Sequence, residues 1–139
     1  DPNAIALLTE FMRQAVRDVT RTVEALSTLS AVDESRIAIL GLGDGASVAT
    51  IAASIDSHVN AAVLAFAQPM DIDELDARTF ANAIAPRPIL AIEAANGPSI
   101  FDACAEPKVR HNATGAGPAL DDESEKVALD FFRQHVARS

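Results

Sequence analysis

The sequence has 139 residues, of which 49% are hydrophobic and 22% are charged, so it suits one folded domain over residues 1–139 and excludes a disordered chain. Its net charge of −9, with arginines scattered along the chain, argues against nucleic acid or an anionic membrane surface as a partner. The one cysteine, Cys104, excludes an intramolecular disulfide and argues against a cysteine-based zinc site.

The first predicted unit is a helix followed by a strand, a glycine turn and a second helix. Apolar residues that step by three or four predict an amphipathic helix over residues 7–29, and these are Met12, Val16, Val19, Val23 and Leu26. After a polar turn at 33–35, the apolar run at 37–40 is typical of a buried strand. It leads through the segment GLGDGA into an alanine-rich stretch, 46–55, that we expect to be a buried helix.

The remaining elements continue this alternation of strands and helices. They are a buried strand at 61–67, a weaker helix at 71–84, a strand at 89–92 that ends near Glu93, a possible edge strand at 108–112, and a last helix at about 122–136 with a capping signal in Asp122 and Glu125. Such alternation predicts an α/β fold with three αβα layers and a mainly parallel sheet of about four strands.

The glycine turn fits two chemistries. In a dinucleotide-binding fold, the spacing of Gly41, Gly43 and Ala46 would let the backbone approach a pyrophosphate at the start of the helix. Against this, the next strand does not end in the acidic residue that would bind the ribose. Asp44 would also place a negative charge beside the phosphates.

The second chemistry is the nucleophile elbow G-x-S-x-G, in which Gly41 and Gly45 fill the small positions and Gly43 stands where the serine belongs. The phrase VDESRIAILGLGDGAS resembles the segment that leads into this elbow in dienelactone-hydrolase-like and lipase-like members of the α/β-hydrolase family. Two later phrases resemble that family too, and with the first they cover essentially the whole chain. The resemblance implies the C-terminal half of that fold.

The two later phrases locate the other catalytic positions. In APRPILAIEAANGPS, which is similar to the family's acid-bearing strand and loop, Gly97 stands where the resemblance places the catalytic aspartate. In TGAGPALDDESEKVALDFFRQHVA, which is similar to the final loop and helix, Pro118 stands where it places the catalytic histidine. The resemblance therefore implies triad positions held by Gly43, Gly97 and Pro118, and we expect no catalytic residue there.

Other residues could replace these groups. Asp71 follows the second strand, where the resemblance allows an alternative acid, although a helix cap explains it as well. Asp44 could imitate an aspartate nucleophile, but it stands one residue late for that spacing. It also occupies the position whose N–H would face an oxyanion, where a carboxylate opposes the developing charge.

These observations favour a catalytically inactive α/β-hydrolase-like domain with a role in binding or assembly. We expect the binding residues to be Leu42, Gly43, Asp44, Gln68 and Glu93. Two alternatives stay open. The chain could be one part of an active ester hydrolase that another chain or unrecognised residues complete, or it could be a dinucleotide-binding domain.

We expect no cofactor and no metal, and a small-molecule ligand is possible. The strand that leads to the elbow would lack its neighbour from the other half of the fold, so we expect either a homo-oligomer or a chain that supplies that half. No stretch of about 18 apolar residues and no opening signal peptide is present, so we expect a soluble protein whose compartment stays open.

Overall fold

In the computed structural model, which describes residues 1–136, four strands alternate with helices along the chain. The elements are α1 (Pro2–Ser27), β1 (Ala38–Leu42), α2 (Asp44–Ile55), β2 (Ala61–Ala65), α3 (Ala77–Phe80), β3 (Ile89–Ala94), β4 (Lys108–Ala113) and α4 (Asp122–His135). Short 3-10 helices lie at Glu34–Arg36, Ala81–Ile84 and Phe101–Ala103.

The four strands form one parallel sheet in the order β1-β2-β3-β4. Parallel strands are covered on both faces, and β2 is accordingly buried along its whole length. Because all four strands run the same way, their carboxyl ends meet at one edge of the sheet. The predicted α/β fold with a parallel sheet is confirmed.

The sheet separates two hydrophobic clusters. On one face, Ala49 and Ala53 of α2 pack with Leu64, and α1 packs against α2. On the other face, Phe131 of α4 packs with Val63. The small side chains of α2 let that helix lie close to the sheet, and the three layers follow from these two clusters.

Helix α1 extends further towards the N-terminus than the predicted 7–29. The Asp1 side chain accepts a hydrogen bond from the Asn3 N–H at 2.9 Å, and Pro2 occupies the first helical turn, where its missing N–H costs nothing. Val16 is buried as predicted, whereas Leu7 and Phe11 are exposed. Within residues 1–136, no helix combines the length and apolarity needed to cross a bilayer.

The helix predicted at 71–84 is wrong for its first half. Helix α3 begins only at Ala77, and its cap is Asp76 rather than Asp71, since Asp76 accepts from the Arg78 N–H at 2.9 Å. Asp76 also accepts from the Met70 N–H at 3.1 Å, which folds 70–76 into a loop. The same carboxylate therefore starts the helix and closes the loop before it.

The last two elements agree with the sequence pattern. Strand β4 forms the second edge of the sheet, as predicted for 108–112. Helix α4 is capped by Asp121, one residue before the predicted signal, and its carboxylate accepts from the Ser124 N–H at 2.7 Å.

Candidate functional site

The turn between β1 and α2 is a tight elbow. Gly43 has φ 59° and ψ −123°, a backbone conformation that favours glycine, and its N–H donates to the Ala65 carbonyl at 2.9 Å. A Cβ on Gly41 would lie 2.4 Å from the Gly45 carbonyl oxygen, so the start of α2 approaches β1 too closely for a side chain there. The small residue predicted at 41 therefore has a steric reason.

Two of the three predicted triad positions adjoin each other. Pro118 lies in the loop after β4, and a Cβ on Gly43 would lie 3.4 Å from the Pro118 Cβ, an ordinary van der Waals contact. Both residues line a cavity of about 490 Å³, together with Leu42, Asp44, Gly45, Phe66, Gln68, Ala116 and Gly117. Four of the five predicted binding residues therefore share this cavity.

Gly97, the third triad position, lies in the turn after β3, where its N–H donates to the Ala94 carbonyl at 3.0 Å. It is not among the residues that line the cavity of Gly43 and Pro118. The next residues, Pro98 and Ser99, line a neighbouring cavity of about 310 Å³ that also includes Gln68. Gly97 therefore belongs to the same edge of the sheet but to an adjacent part of it.

Glu93, the fifth predicted binding residue, does not line either the cavity of Gly43 and Pro118 or that of Asp71. Its side chain is only 5% exposed and pairs with Arg110 of the neighbouring strand, with Nε and Oε1 3.1 Å apart. It also accepts from the Ile100 N–H at 2.7 Å and from the Ser99 hydroxyl at 2.9 Å. Glu93 therefore holds the loop that contains Gly97, and it faces the interior instead of a ligand cavity.

The two weak catalytic candidates, Asp44 and Asp71, are both exposed and line one further cavity of about 500 Å³. Its other walls are apolar residues of α1 and of the loop after β2, which are Ile5, Leu8, Phe11, Met12, Pro69, Met70 and Ile72. Asp44 and Gln68 line this cavity as well as the cavity of Gly43 and Pro118. We call these two adjoining cavities the sheet mouth.

Carboxylates fix the loops that surround the sheet mouth. Asp76 holds the loop after β2, and the Arg78 guanidinium that pairs with it lowers the pKa of Asp76 to about 2. Asp121 holds the loop of Pro118 by accepting from the Thr114 hydroxyl at 2.9 Å, and its hydrogen bond from the Ser124 N–H lowers its pKa to about 2. With Glu93 after β3, each of these three loops is held by its own carboxylate.

Sequence reasoning missed Phe66, which lies at the end of β2 and lines the cavity of Gly43. Phe66 is buried and has φ 55°, a conformation that few non-glycine residues adopt. Its ring packs against Gly117, where an added Cβ would lie 2.4 Å from the Phe66 Cγ. The hydrophobic pattern of the sequence does not predict such a residue, because what distinguishes Phe66 is its backbone angle.

The three histidines and Cys104 do not line the cavity of Gly43 and Pro118. His58 contacts Asp56, with Nδ1 and Oδ1 2.9 Å apart, and the His135 ring packs against Phe131. Neither these histidines nor His111 lines the cavity of Gly43 and Pro118. Burial raises the pKa of the Cys104 thiol to about 11, so the thiolate form is scarce at neutral pH.

No group of three or more histidine, cysteine, aspartate or glutamate residues within 1–136 is arranged to hold a metal ion. The exposed carboxylates of the sheet mouth are Asp44 and Asp71.

Comparisons with known proteins agree with this geometry. The family profile of acetyl xylan esterase (AXE1) matches residues 7–70, which include the elbow but amount to less than half of the chain. The acetyl xylan esterase of Paenibacillus sp. R4 superposes with a TM-score of 0.75 at 17% identity, over 88% of this chain and 52% of that one. The chain has an α/β-hydrolase fold.

Two further α/β-hydrolase structures are similar. Acetyl xylan esterase 1 of Thermoanaerobacterium sp. JW/SL YS485 matches with a TM-score of 0.72 at 12% identity, over 86% of this chain and 51% of that one. The α/β-hydrolase GrgF of Penicillium sp. sh18 matches with a TM-score of 0.71 at 18% identity, over 91% of this chain and 73% of that one. A search of curated proteins by sequence returns no match.

The chain thus spans about half the length of the two acetyl xylan esterases. The predicted α/β-hydrolase fold is confirmed, and these relatives favour an elbow over a dinucleotide-binding turn for 41–46. At identities of 12% to 18% they speak for the fold.

Proposed function

We propose that this chain is a catalytically inactive, esterase-like α/β-hydrolase domain that binds a ligand at the sheet mouth without cleaving it. The observation that carries the proposal is the proximity of positions 43 and 118, which line one cavity and which the resemblance assigns to the nucleophile and the base. Two positions that are far apart in the sequence adjoin as that assignment requires, which supports the register of the elbow and of the last loop.

Acyl transfer needs a nucleophile and a base that takes its proton. Gly43 has no side chain and Pro118 has no titratable group, so neither can perform its step. A histidine could not take the place of the missing base by a small side-chain rotation, because the three histidines lie outside this cavity. The backbone of the elbow and of the last loop is therefore present without the side chains that acyl transfer needs.

The electrostatics of the sheet mouth support the same proposal. Asp44 is the first residue of α2, where the partial positive charge of the helix end stabilises a carboxylate. An ester hydrolase uses such a helix end to stabilise the oxyanion of its tetrahedral intermediate. A carboxylate at this place opposes the developing negative charge, so the site is poorly suited to acyl transfer.

The walls of the sheet mouth support a binding role. The cavity of Asp71 is mostly apolar, with a few polar groups where it meets the cavity of Gly43, which is the usual composition of a small-molecule site. Because the matched profile is that of acetyl xylan esterase, we choose acetylated carbohydrates as the ligand class to test first.

The test combines turnover and binding. We expect the release of p-nitrophenol from p-nitrophenyl acetate, and of acetate from acetylated xylan, to equal that of buffer with an unrelated protein. An acetylated xylobiose should shift the backbone amide resonances of Leu42, Asp44 and Gln68 in a titration followed by NMR. Unshifted amides throughout the titration would count against the binding role.

An active ester hydrolase is the second candidate, and the observation that favours it is that Asp44 and Asp71 line one cavity. It predicts turnover of short esters that Asp44→Asn or Asp71→Asn abolishes. Glu74→Gln, which changes an exposed carboxylate outside the sheet mouth, is the matched control. Turnover with that dependence would replace the inactive assignment.

A further inference from the structure

The cavity of Asp71, one of the two cavities of the sheet mouth, lies against the first turns of α1. The apolar face of this helix is buried at Met12 and Val23. Towards the N-terminus the same face continues as Leu8 and Ile5, which line the cavity and are 40% and 50% exposed. The cavity therefore exposes part of a helix face that is buried further along the chain.

The second wall of the cavity is the loop after β2. It contributes Pro69, Met70 and Ile72, so apolar side chains form both walls. Met12 of α1 and Met70 of this loop are the two methionines of the sequence. Methionine is flexible and polarisable, so it adapts to ligands of different shape. A volume of about 500 Å³ between such walls suits the aliphatic part of a small molecule.

The charged groups that line this cavity are both negative. They are Asp44 and Asp71, and no arginine, lysine or histidine within residues 1–136 lines it with them. Both carboxylates are exposed, and neither makes a side-chain hydrogen bond or a salt bridge in the described part of the chain. Two carboxylates therefore stand in a mainly apolar cavity without a counter-ion.

The bases of the surrounding segments are already paired. Arg13 of α1 pairs with Glu74 of the loop after β2, with Nη2 and Oε2 3.0 Å apart. Arg78, whose charge interacts with that of Asp71, pairs with Asp76. A neutral ligand would cover the cavity carboxylates without replacing the water around them, whereas a cation offsets that cost. The net charge of −9 acts in the same direction, because it attracts cations and repels anions.

We propose that the cavity of Asp71 binds an organic cation with an aliphatic chain. Its ammonium group pairs with Asp71, and its chain lies between Met12 and Met70. Asp71 is the partner rather than Asp44, because Asp44 is the first residue of α2 and already faces the partial positive charge of that helix end. This inference rests on the binding role proposed for the sheet mouth, and it names the chemistry that one of the two cavities selects.

Phe11 adds a second attraction for a cation. It contributes an aromatic ring to the lining of the cavity, and its side chain is exposed. The faces of aromatic rings attract ammonium groups, and quaternary ammonium ligands are often held in this way. A quaternary ammonium with an alkyl chain therefore matches the carboxylates, the ring and the apolar walls together.

A basic amphipathic peptide is the alternative occupant, because exposed Leu7 extends the apolar surface of α1 beyond the cavity. A helix with its side chains is about 10–12 Å across, so it would cover the cavity without filling it. A short alkylammonium fits inside, where it contacts both walls. The shape of the cavity therefore favours the small molecule.

The two methionine methyl groups report directly on this cavity. With these methyls labelled with ¹³C, we expect hexyltrimethylammonium to shift both resonances in a titration followed by NMR. 1-Hexanol and hexanoate should bind at least about tenfold more weakly, because the alcohol leaves the carboxylates unpaired and the anion is repelled. Tetramethylammonium, which has the charge without the chain, should also bind at least about tenfold more weakly.

Two matched variants test the role of Asp71. Asp71→Asn should weaken the binding of hexyltrimethylammonium by about tenfold, because it removes a charge-assisted partner and keeps the side-chain shape. Asp73→Asn removes the same charge from an exposed residue of the same loop that does not line the cavity. At physiological salt it should change the dissociation constant by less than about twofold. Amide spectra that match the wild type outside this loop establish that both variants are folded.

Three results would overturn the proposal. Equal affinities for hexyltrimethylammonium and 1-hexanol would show that the cavity recognises only the apolar chain. Equal effects of Asp71→Asn and Asp73→Asn would reduce the preference to the overall charge of the protein. Methionine resonances that respond to a basic amphipathic peptide, but not to the alkylammonium, would make the occupant a macromolecule.

The carbohydrate titration separates this inference from the proposed function. Acetylated xylobiose that binds while the alkylammonium does not would contradict the inference and retain the binding role of the sheet mouth. The alkylammonium that binds while acetylated xylobiose does not would support the inference and exclude the carbohydrate as the ligand class.

Discussion

The sheet mouth and the β1 edge differ in what they lack: reactive side chains in the first, and a paired neighbouring strand in the second. At the sheet mouth, the backbone is fixed by an elbow and by three anchored loops, but the adjoining positions 43 and 118 carry no reactive group. At the β1 edge, apolar side chains and backbone groups suited to pairing are present, and within residues 1–136 no strand pairs with β1 on the side away from β2.

This difference distinguishes residues that shape the backbone from residues that perform the reaction. The residues that shape the loops are hydrogen-bonded carboxylates, glycines and helix caps, and they act whether or not a reaction takes place. The residues that perform acyl transfer act only through their functional groups. A domain can therefore keep the first set, lack the second, and retain a cavity that suits a ligand.

The largest expected effect concerns the elbow. Gly41→Ala places a Cβ 2.4 Å from the Gly45 carbonyl oxygen and 2.6 Å from the Ala46 Cα, both of which are backbone atoms that cannot move aside cheaply. We expect it to lower the free energy of unfolding by about 3 kcal/mol, measured by urea denaturation.

Gly45→Ala is the control for that change. Its Cβ meets nothing within 4 Å, and alanine is the better helix former, so we expect it to raise the free energy of unfolding by about 0.5 kcal/mol. Equal effects of the two changes would mean that the packing of the elbow is not as described.

The next effect concerns the loop after β2. Asp76 has a pKa of about 2, compared with 3.8 in the unfolded chain, because Arg78 and backbone N–H groups stabilise its ionised form. Its contribution is therefore present above pH about 4 and is lost as the pH falls from about 4 to about 2. Asp76→Asn should cost about 2 kcal/mol at neutral pH.

Thermal unfolding between pH 2 and pH 7 checks this prediction. The wild type should lose stability below pH about 4 more steeply than Asp76→Asn does. Identical pH profiles of the two proteins would contradict a role for the ionised carboxylate.

A smaller effect is expected at the loop after β3. Glu93→Gln keeps the shape of the side chain but removes the charge that pairs with Arg110 and weakens the bond from the Ile100 N–H. We expect a cost of about 1 kcal/mol and faster hydrogen exchange at the Ile100 amide. Glu74→Gln, whose partner Arg13 is exposed, should change stability by about 0–0.5 kcal/mol.

The sequence predicted what depends on local patterns. The β1–elbow–α2 unit followed from an apolar run, a glycine cluster and an alanine-rich segment, and the parallel sheet followed from the alternation of elements. It did not reveal that Asp76 would start α3. Segment 71–75 contains three other acidic residues, and only the hydrogen bonds of Asp76 with Met70 and Arg78 distinguish it from them.

Long-range pairing was the other limit. The role of Glu93 depends on Arg110, which is 17 residues away and approaches only because β3 pairs with β4 in a particular register. Phe66, with its φ of 55°, packs its ring against Gly117 of the last loop, which is distant in the sequence. Neither fact leaves a mark in the spacing of residues.

The central claim is that positions 43 and 118 adjoin, so that the sites of nucleophile and base meet without a reactive group. Disulfide formation measures this directly, since a Cβ on residue 43 would lie 3.4 Å from that of Pro118, close to the separation found across disulfides. In a Cys104→Ala background, Gly43→Cys with Pro118→Cys should form an intramolecular disulfide detectable by mass spectrometry, whereas Gly45→Cys with Pro118→Cys should not. Two free thiols in a first protein that keeps the wild-type circular dichroism spectrum, or equal cross-linking in both proteins, would contradict the account.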